Sequence, residues 1–245
     1  MNVNNLIKKA DEFYKKGYIV ESKNIYDEIL RTNSLKSLQE LDILSKLGRC
    51  YCDLGYFDVA IDILRDVYNK RKEKFGLNNS ITLNDLSHMA ICYSEMGDND
   101  KALQLEKKVF FLKKETGMDI VNSLINLGSY FGEAGDYFNA KRVYEYLCLN
   151  YLNQNIQIDD EQIILVLGNL SIIYLGLGYQ ETCLDINYLI YNFFHQEFGE
   201  ENIRTIQSQL HLVNSYFMLG DYNEGRNVLK NIYSIVNKNK NMKKN

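Results

Sequence analysis

Residues 47–60 read Leu47-Gly48-Arg49-Cys50-Tyr51-Cys52-Asp53-Leu54-Gly55-Tyr56-Phe57-Asp58-Val59-Ala60. This stretch decides the fold because its pattern recurs. Six glycines share its context, Gly17, Gly55, Gly97, Gly135, Gly178 and Gly220, separated by 38, 42, 38, 43 and 42 residues. Four positions before each stands an aromatic: Phe13, Tyr51, Tyr93, Phe131, Tyr174 and Tyr216. With 12% aromatic residues in the chain, six matches at one offset arise by chance roughly three times in a million. Periods of this length mean stacked units.

Two further columns specify each unit. Seven before the glycine come Ala10, Gly48, Ala90, Gly128, Ser171 and Val213, and five after it Ser22, Ala60, Ala102, Ala140, Cys183 and Gly225. All but Val213 are small, which lets two helix backbones approach closely while the aromatic fills the volume beside them. The glycine suits the left-handed residue that ends a helix. Each unit therefore reads as helix A, a tight turn and an antiparallel helix B.

This small/aromatic/glycine/small spacing resembles the tetratricopeptide repeat, in six copies over nearly the whole chain. The longer period and the linkers Phe75-Gly76-x2-Asn79-x2-Thr82 and Phe198-Gly199-x2-Asn202-x2-Thr205 are similar to the kinesin-light-chain-type subclass. The resemblance implies an all-α, right-handed superhelical α-solenoid. Residues 1–237 are expected to form a single array, with repeats at about 2–36, 40–74, 82–116, 120–154, 163–197 and 205–237. A basic, disordered tail is expected over 238–245. The proline that often closes such a repeat is absent, since the chain has none.

In such a solenoid helix A lines the inner curve. Nine before each glycine stand Lys8, Lys46, His88, Asn126, Asn169 and His211, with Asn84 and Asn122 one turn earlier on helix A and Arg49 and Asn214 on the same face. These predict a polar column, and the peptide-binding residues expected are Arg49, Asn84, His88, Asn122, Asn126, Asn169, His211 and Asn214. Asparagine offers an acceptor and two donors, which match a peptide unit. Toward the C-terminal end the lining turns apolar with Ile172, Leu175, Phe217 and Met218, an expected anchor pocket.

Composition narrows the function further. The net charge of −4 and pI near 5.5 argue against a phosphate-neutralising surface, and Asp53, Glu95 and Glu133 along one edge oppose RNA. No apolar run reaches the length of a membrane span, and residues 1–11 lack the order of a secretory signal. Five scattered cysteines fit reduced thiols in a cytoplasmic protein. Cys50 and Cys52 point about 200° apart on a helix, so they do not make a metal pair. No cofactor or catalytic constellation is expected, and Lys and Asn are missing from most of the places that hold the co-chaperone carboxylate clamp. The expected function is a non-enzymatic scaffold binding a protein or extended peptide, with no nucleic acid and no membrane as partner. The alternative is a regulatory peptide receptor similar to bacterial quorum-sensing receptors, lacking its own effector domain. The last helix, with Val228, Leu229, Ile232, Tyr233, Ile235 and Val236, predicts a self-association surface through the C-terminal helix.

Overall fold

The computed structural model describes residues 2–32, 37–157 and 159–242. Among these residues it contains twelve α-helices and no strand: α1 (Val3–Lys15), α2 (Ile19–Thr32), α3 (Ser37–Asp53), α4 (Phe57–Phe75), α5 (Ser80–Glu95), α6 (Asn99–Glu115), α7 (Val121–Glu133), α8 (Tyr137–Leu152), α9 (Asp160–Gly176), α10 (Gln180–Phe198), α11 (Ile203–Met218) and α12 (Tyr222–Met242). Odd-numbered helices are the A helices and even-numbered ones the B helices. The end of the first expected repeat, residues 33–36, and the last three residues of the expected tail, 243–245, lie outside the described residues. Residues 238–242 are helical as part of α12, where composition alone suggests a frayed tail.

All six turn glycines have φ between +77° and +86°, a region that costs other residues about 1–2 kcal/mol. In five of the turns the N–H after the glycine donates to the carbonyl of the motif aromatic, at 2.8–2.9 Å, from Tyr18, Tyr56, Asp98, Tyr179 and Asp221 to Phe13, Tyr51, Tyr93, Tyr174 and Tyr216. That bond satisfies a carbonyl left open at the helix end. The residue after the glycine then follows one of two designs. Tyr18, Tyr56 and Tyr179 pack edge-on against Phe13, Tyr51 and Tyr174, with ring centroids 5.8–6.1 Å apart. Asp98, Asp136 and Asp221 instead accept backbone N–H bonds from Lys101, Asn139 and Glu224, opening the B helix.

The small columns are buried. Ala10, Ala60, Ala90, Ala102 and Ala140 are fully buried. A Cβ on Gly48 would stand 2.9 Å from Leu64 Cγ, and one on Gly225 only 2.3 Å from Phe217 Cε1. Ser22 Oγ donates to the Ala10 carbonyl at 2.9 Å, tying the two columns together. In the two long linkers Gly76 and Gly199 take φ of +84° and +79°. Asn79 and Asn202 then cap α5 and α11.

The chain forms two compact units, residues 1–134 and 135–245. In the first, consecutive helices pack in sequence order and the A helix α5 also touches α3 and α7. One core cluster joins α1 to α3 through Ala10, Tyr26, Ile29, Ile43 and Leu47; a second lies over α3 to α6 around Leu64, Leu83, Met89 and Val109. In the second unit α8 to α12 pack in order over a core that includes Tyr144, Leu147, Val166, Ile173, Ile186 and Leu212. On α12, Ile232 and Ile235 are buried whereas Leu229, Tyr233 and Val236 are exposed.

Two substitutions test this packing. Gly55→Ala should lower stability by about 1–2 kcal/mol from its left-handed φ, read as a lower urea midpoint with an unchanged slope. Ile232→Glu buries a charge in the core and should cut the melting temperature of the chain whatever its oligomeric state; an unchanged melting curve would contradict the inward placement of Ile232.

Candidate functional site

The column nine places before the glycine is hydrogen-bonded, at Asn126 and Asn169, to a second column nine places after it. That second column runs Tyr26, Leu64, Glu106, Tyr144, Asn187 and Leu229 on the B helices, and its first five members are buried. Where this B-helix residue is polar, it holds an A-helix side chain. Tyr26 donates its hydroxyl to Asp11, and Asp11 also takes Lys46 Nζ at 2.7 Å. Glu106 accepts from Ser87 at 3.3 Å and from Asn126 Nδ2 at 3.4 Å. Tyr144 accepts from Asn169 Nδ2 at 3.0 Å. Asn187 accepts from Ser171 at 3.0 Å and donates to Ser215 at 2.8 Å.

Asn126 and Asn169 are accordingly half-buried and engaged from below, while Asn84, Asn122, His211 and Asn214 are exposed. Repeat three differs. There the preceding B-helix residue is the apolar Leu64, and His88 Nδ1 is buried without a partner. Burial, and then the charges of Arg49 and Arg71, push the His88 pKa down to about 3. The ring is neutral at physiological pH.

In the first unit Arg49, Asn84 and His88 line one cavity of about 380 Å³, shared with Asp42, Lys46, Arg71 and Asp85. A buried ion pair underlies it. Arg71 Nη1 donates to both oxygens of Asp85 at 2.7 and 2.9 Å, and Arg71 Nη2 reaches Asp42 at 2.5 Å. Ser45 adds a bond to Asp85 at 2.9 Å. Desolvation raises the Asp85 pKa despite Arg71 and Ser45, which pull the other way. Lys46 is committed to Asp11, and Arg49 lies over the Tyr14 ring at 4.8 Å with a bond to its hydroxyl at 3.2 Å. Asn122 and Asn126 line neither this cavity nor the one described next.

In the second unit α9, α10 and α11 surround an open cavity of about 540 Å³. Asn169, His211 and Asn214 line it, together with Ile172, Leu175 and Met218 of the expected apolar end. Phe217 does not; its ring packs over Gly225 and beside Tyr222. Leu165, Ile172 and Met218 are 51%, 65% and 51% exposed. The buried polar groups at the base, Ser171, Cys183, Asn187 and Ser215, are bonded to one another. The cavity therefore combines apolar walls with a base of mutually bonded polar groups.

Cys50, Cys52, Cys92 and Cys183 are buried free thiols, and burial raises the Cys50 pKa to about 11. No group of three or more metal-ligating side chains occurs among the described residues. None of the described helices is long and apolar enough to cross a membrane.

Residues 39–115 match the tetratricopeptide repeat family. No curated protein matches the chain. Among solved structures, the kinesin light chain nearly identical TPR-like repeats of Podosopora anserina are 16% identical, with a TM-score of 0.71 over 85% of this chain and 100% of that one. BtubC (BKLC) from P. vanneervenii is 14% identical, with a TM-score of 0.69 over 97% and 92% of the two chains. A Rap protein complexed with Competence and Sporulation Factor is 12% identical, with a TM-score of 0.66 over 95% and 74%. At such identities the likeness establishes the fold, an α-solenoid of tetratricopeptide-type helix pairs like those of kinesin light chain.

Burial raises the Glu106 pKa above its ordinary 4.5, opposed by the bonds it accepts and by Lys113. A raised carboxyl contributes stability below its unfolded value and loses it as pH rises through the folded one. Glu106→Gln should therefore melt higher than the parent at neutral pH, and the two should converge near pH 4. A parent that is the more stable of the two at neutral pH would contradict the burial of an ionised Glu106.

Proposed function

We propose that this chain is a non-enzymatic, cytoplasmic scaffold that binds an extended peptide, or the tail of a partner protein, along the inner faces of its A helices. The observation that carries this reading is the open cavity of the second unit, where large apolar side chains stand exposed beside His211 and Asn214. Exposed apolar surface in a concavity with polar groups at its rim is the usual form of a ligand site. In the first unit Arg49, Asn84 and His88 offer a polar contact surface. The tetratricopeptide match supports protein binding as the general role. The chemistry is contact, not turnover: the buried carboxylates Asp85 and Glu106 are held by structural partners, and no cofactor enters the account.

A second reading, a regulatory peptide receptor whose effector is supplied elsewhere, is favoured by the fold shared with the Rap protein complexed with Competence and Sporulation Factor. Compaction on ligand binding, measured by small-angle scattering, separates a switching receptor from a passive scaffold.

The test uses His211 and Asn214, which are exposed, rather than Asn126 and Asn169, which hold Glu106 and Tyr144 in place. In affinity capture from the native cytosol with quantitative mass spectrometry, His211→Ala with Asn214→Ala should reduce partner recovery at least tenfold, equivalent to about 1.4 kcal/mol. Its melting temperature should match the parent. Full recovery by this double variant would overturn the groove assignment.

A further inference from the structure

The face of a B helix that turns away from its own core meets water, and an amphipathic helix keeps such a face polar. In this chain its places lie three, eleven, fourteen and seventeen after the turn glycine. Repeat two follows the rule with Asp58, Asp66, Asn69 and Lys72, and repeat six is polar at all four places. Repeats one, three and five each admit one apolar residue, Val20, Phe111 and Leu189. Repeat four breaks the rule at every place. Phe138, Tyr146, Leu149 and Leu152 of α8 stand 66%, 46%, 59% and 75% exposed. Their spacing puts them on one stripe, on the side of α8 opposite the fully buried Ala140, Tyr144 and Leu147.

The charges on the stripe decide what it fits. Arg142 and Glu145 lie between Phe138 and Leu149, each four positions from its own end. Forward, the order is apolar, base, acid, apolar; backward, the acid comes before the base. Two copies laid antiparallel therefore match apolar with apolar and base with acid, whereas a parallel pair would set Arg142 against Arg142. We infer that the outward face of α8 is an interface with a second copy of this chain, the two α8 helices packing antiparallel about a two-fold axis between residues 143 and 144. Phe138 then meets the partner's Leu149 and Arg142 the partner's Glu145, and symmetry repeats both contacts. The charges are available for this. Arg142 lies over the Phe138 ring at 5.9 Å and has no carboxylate partner among the described residues. Tyr174 at 2.5 Å and Lys141 at 3.6 Å both engage Oε1 of Glu145, whose side chain is 42% exposed, which leaves Oε2 to the partner. The four apolar side chains expose on the order of 400 Å². That is about half of the ~800 Å² per partner of a standard interface, so the dimer is one that dissociates on dilution. The contact lies on a B helix other than α12, apart from both the proposed groove and the self-association expected at the C-terminal helix.

Sedimentation velocity of the full chain tests this. The parent should be monomeric at about 1 μM and mostly dimeric at about 100 μM. Phe138→Glu with Leu149→Glu should weaken the dimer at least tenfold. Arg142→Glu and Glu145→Arg should each do the same alone, because each sets like charges opposite one another. An equimolar mixture of these two variants should dimerise again, since each chain then supplies the charge that the other's α8 lacks. Tyr233→Glu, on α12, should leave the dimer unchanged. At about 1 μM, where the chains are separate, the Phe138/Leu149 double variant and Arg142→Glu should melt with the parent, which distinguishes lost association from lost folding.

A parent that stays monomeric at about 100 μM would overturn the assignment, as would a dimer indifferent to Phe138→Glu with Leu149→Glu. Loss of the dimer in Tyr233→Glu would place the contact on α12 and overturn it as well. A mixture of Arg142→Glu and Glu145→Arg that fails to dimerise would overturn the antiparallel pairing.

Discussion

The packing within each unit depends on how closely the two helices of a pair can approach. Buried residues no larger than alanine, serine or cysteine at nearly every small-column position bring the backbones together, and a left-handed glycine reverses the chain between them. The aromatic before the turn adds a packed ring and the carbonyl that receives the closing hydrogen bond. Burial of this kind contributes roughly 25 cal/mol per Å², but it is delivered only if the approach is permitted. A larger side chain at Gly48 would have to displace Leu64 from the core. The same geometry leaves the opposite side of each A helix outside the pair, which is why side chains such as Asn84 and His211 are exposed while their near neighbours in sequence are not.

The inner face is not simply solvated surface. Its residues are braced by one position on α2, α6, α8 and α10, and the identity of that residue sets the local character. Tyrosine, glutamate or asparagine there pulls an A-helix side chain down into a hydrogen bond, as Glu106 does with Asn126. Leucine leaves the residue above it to find its own partner, and His88 finds none for Nδ1. Polar groups that are buried and satisfied rigidify a site without offering it for binding. The groups left for a ligand are those that the bracing passes over, and in the second unit these stand around apolar walls.

The repeat, its turns and its small-residue contacts were legible in the sequence because they are backbone requirements imposed at every copy. Gly55 and Ala60 mean the same thing in each repeat. The bracing position was not, since Tyr26, Leu64, Glu106, Tyr144, Asn187 and Leu229 look like no pattern when read for a common residue type. The signal was available in another form: Glu106 and Asn187 are polar at a phase where tyrosine and leucine mark the core. The donor positions fall on the A helices, but sequence does not reveal which donors are already spent: Asn126 and Asn169 are bonded to Glu106 and Tyr144. Phe217 illustrates the same limit. Its place beside Met218 suggests the pocket, whereas the gap left by Gly225 draws its ring elsewhere.

If the A-helix faces hold another chain as proposed, and the B-helix faces do not, the two surfaces differ in solvent access once a partner is bound. Hydroxyl-radical footprinting of the protein with its captured partner tests this most directly, because exposed side chains of reactive type lie on both. Protection of Ile172 and Met218 on α9 and α11, with unchanged labelling of Tyr146 and Tyr233 on α8 and α12, is the expected result. Protection of Tyr146 or Tyr233 with Ile172 and Met218 still fully labelled would contradict it.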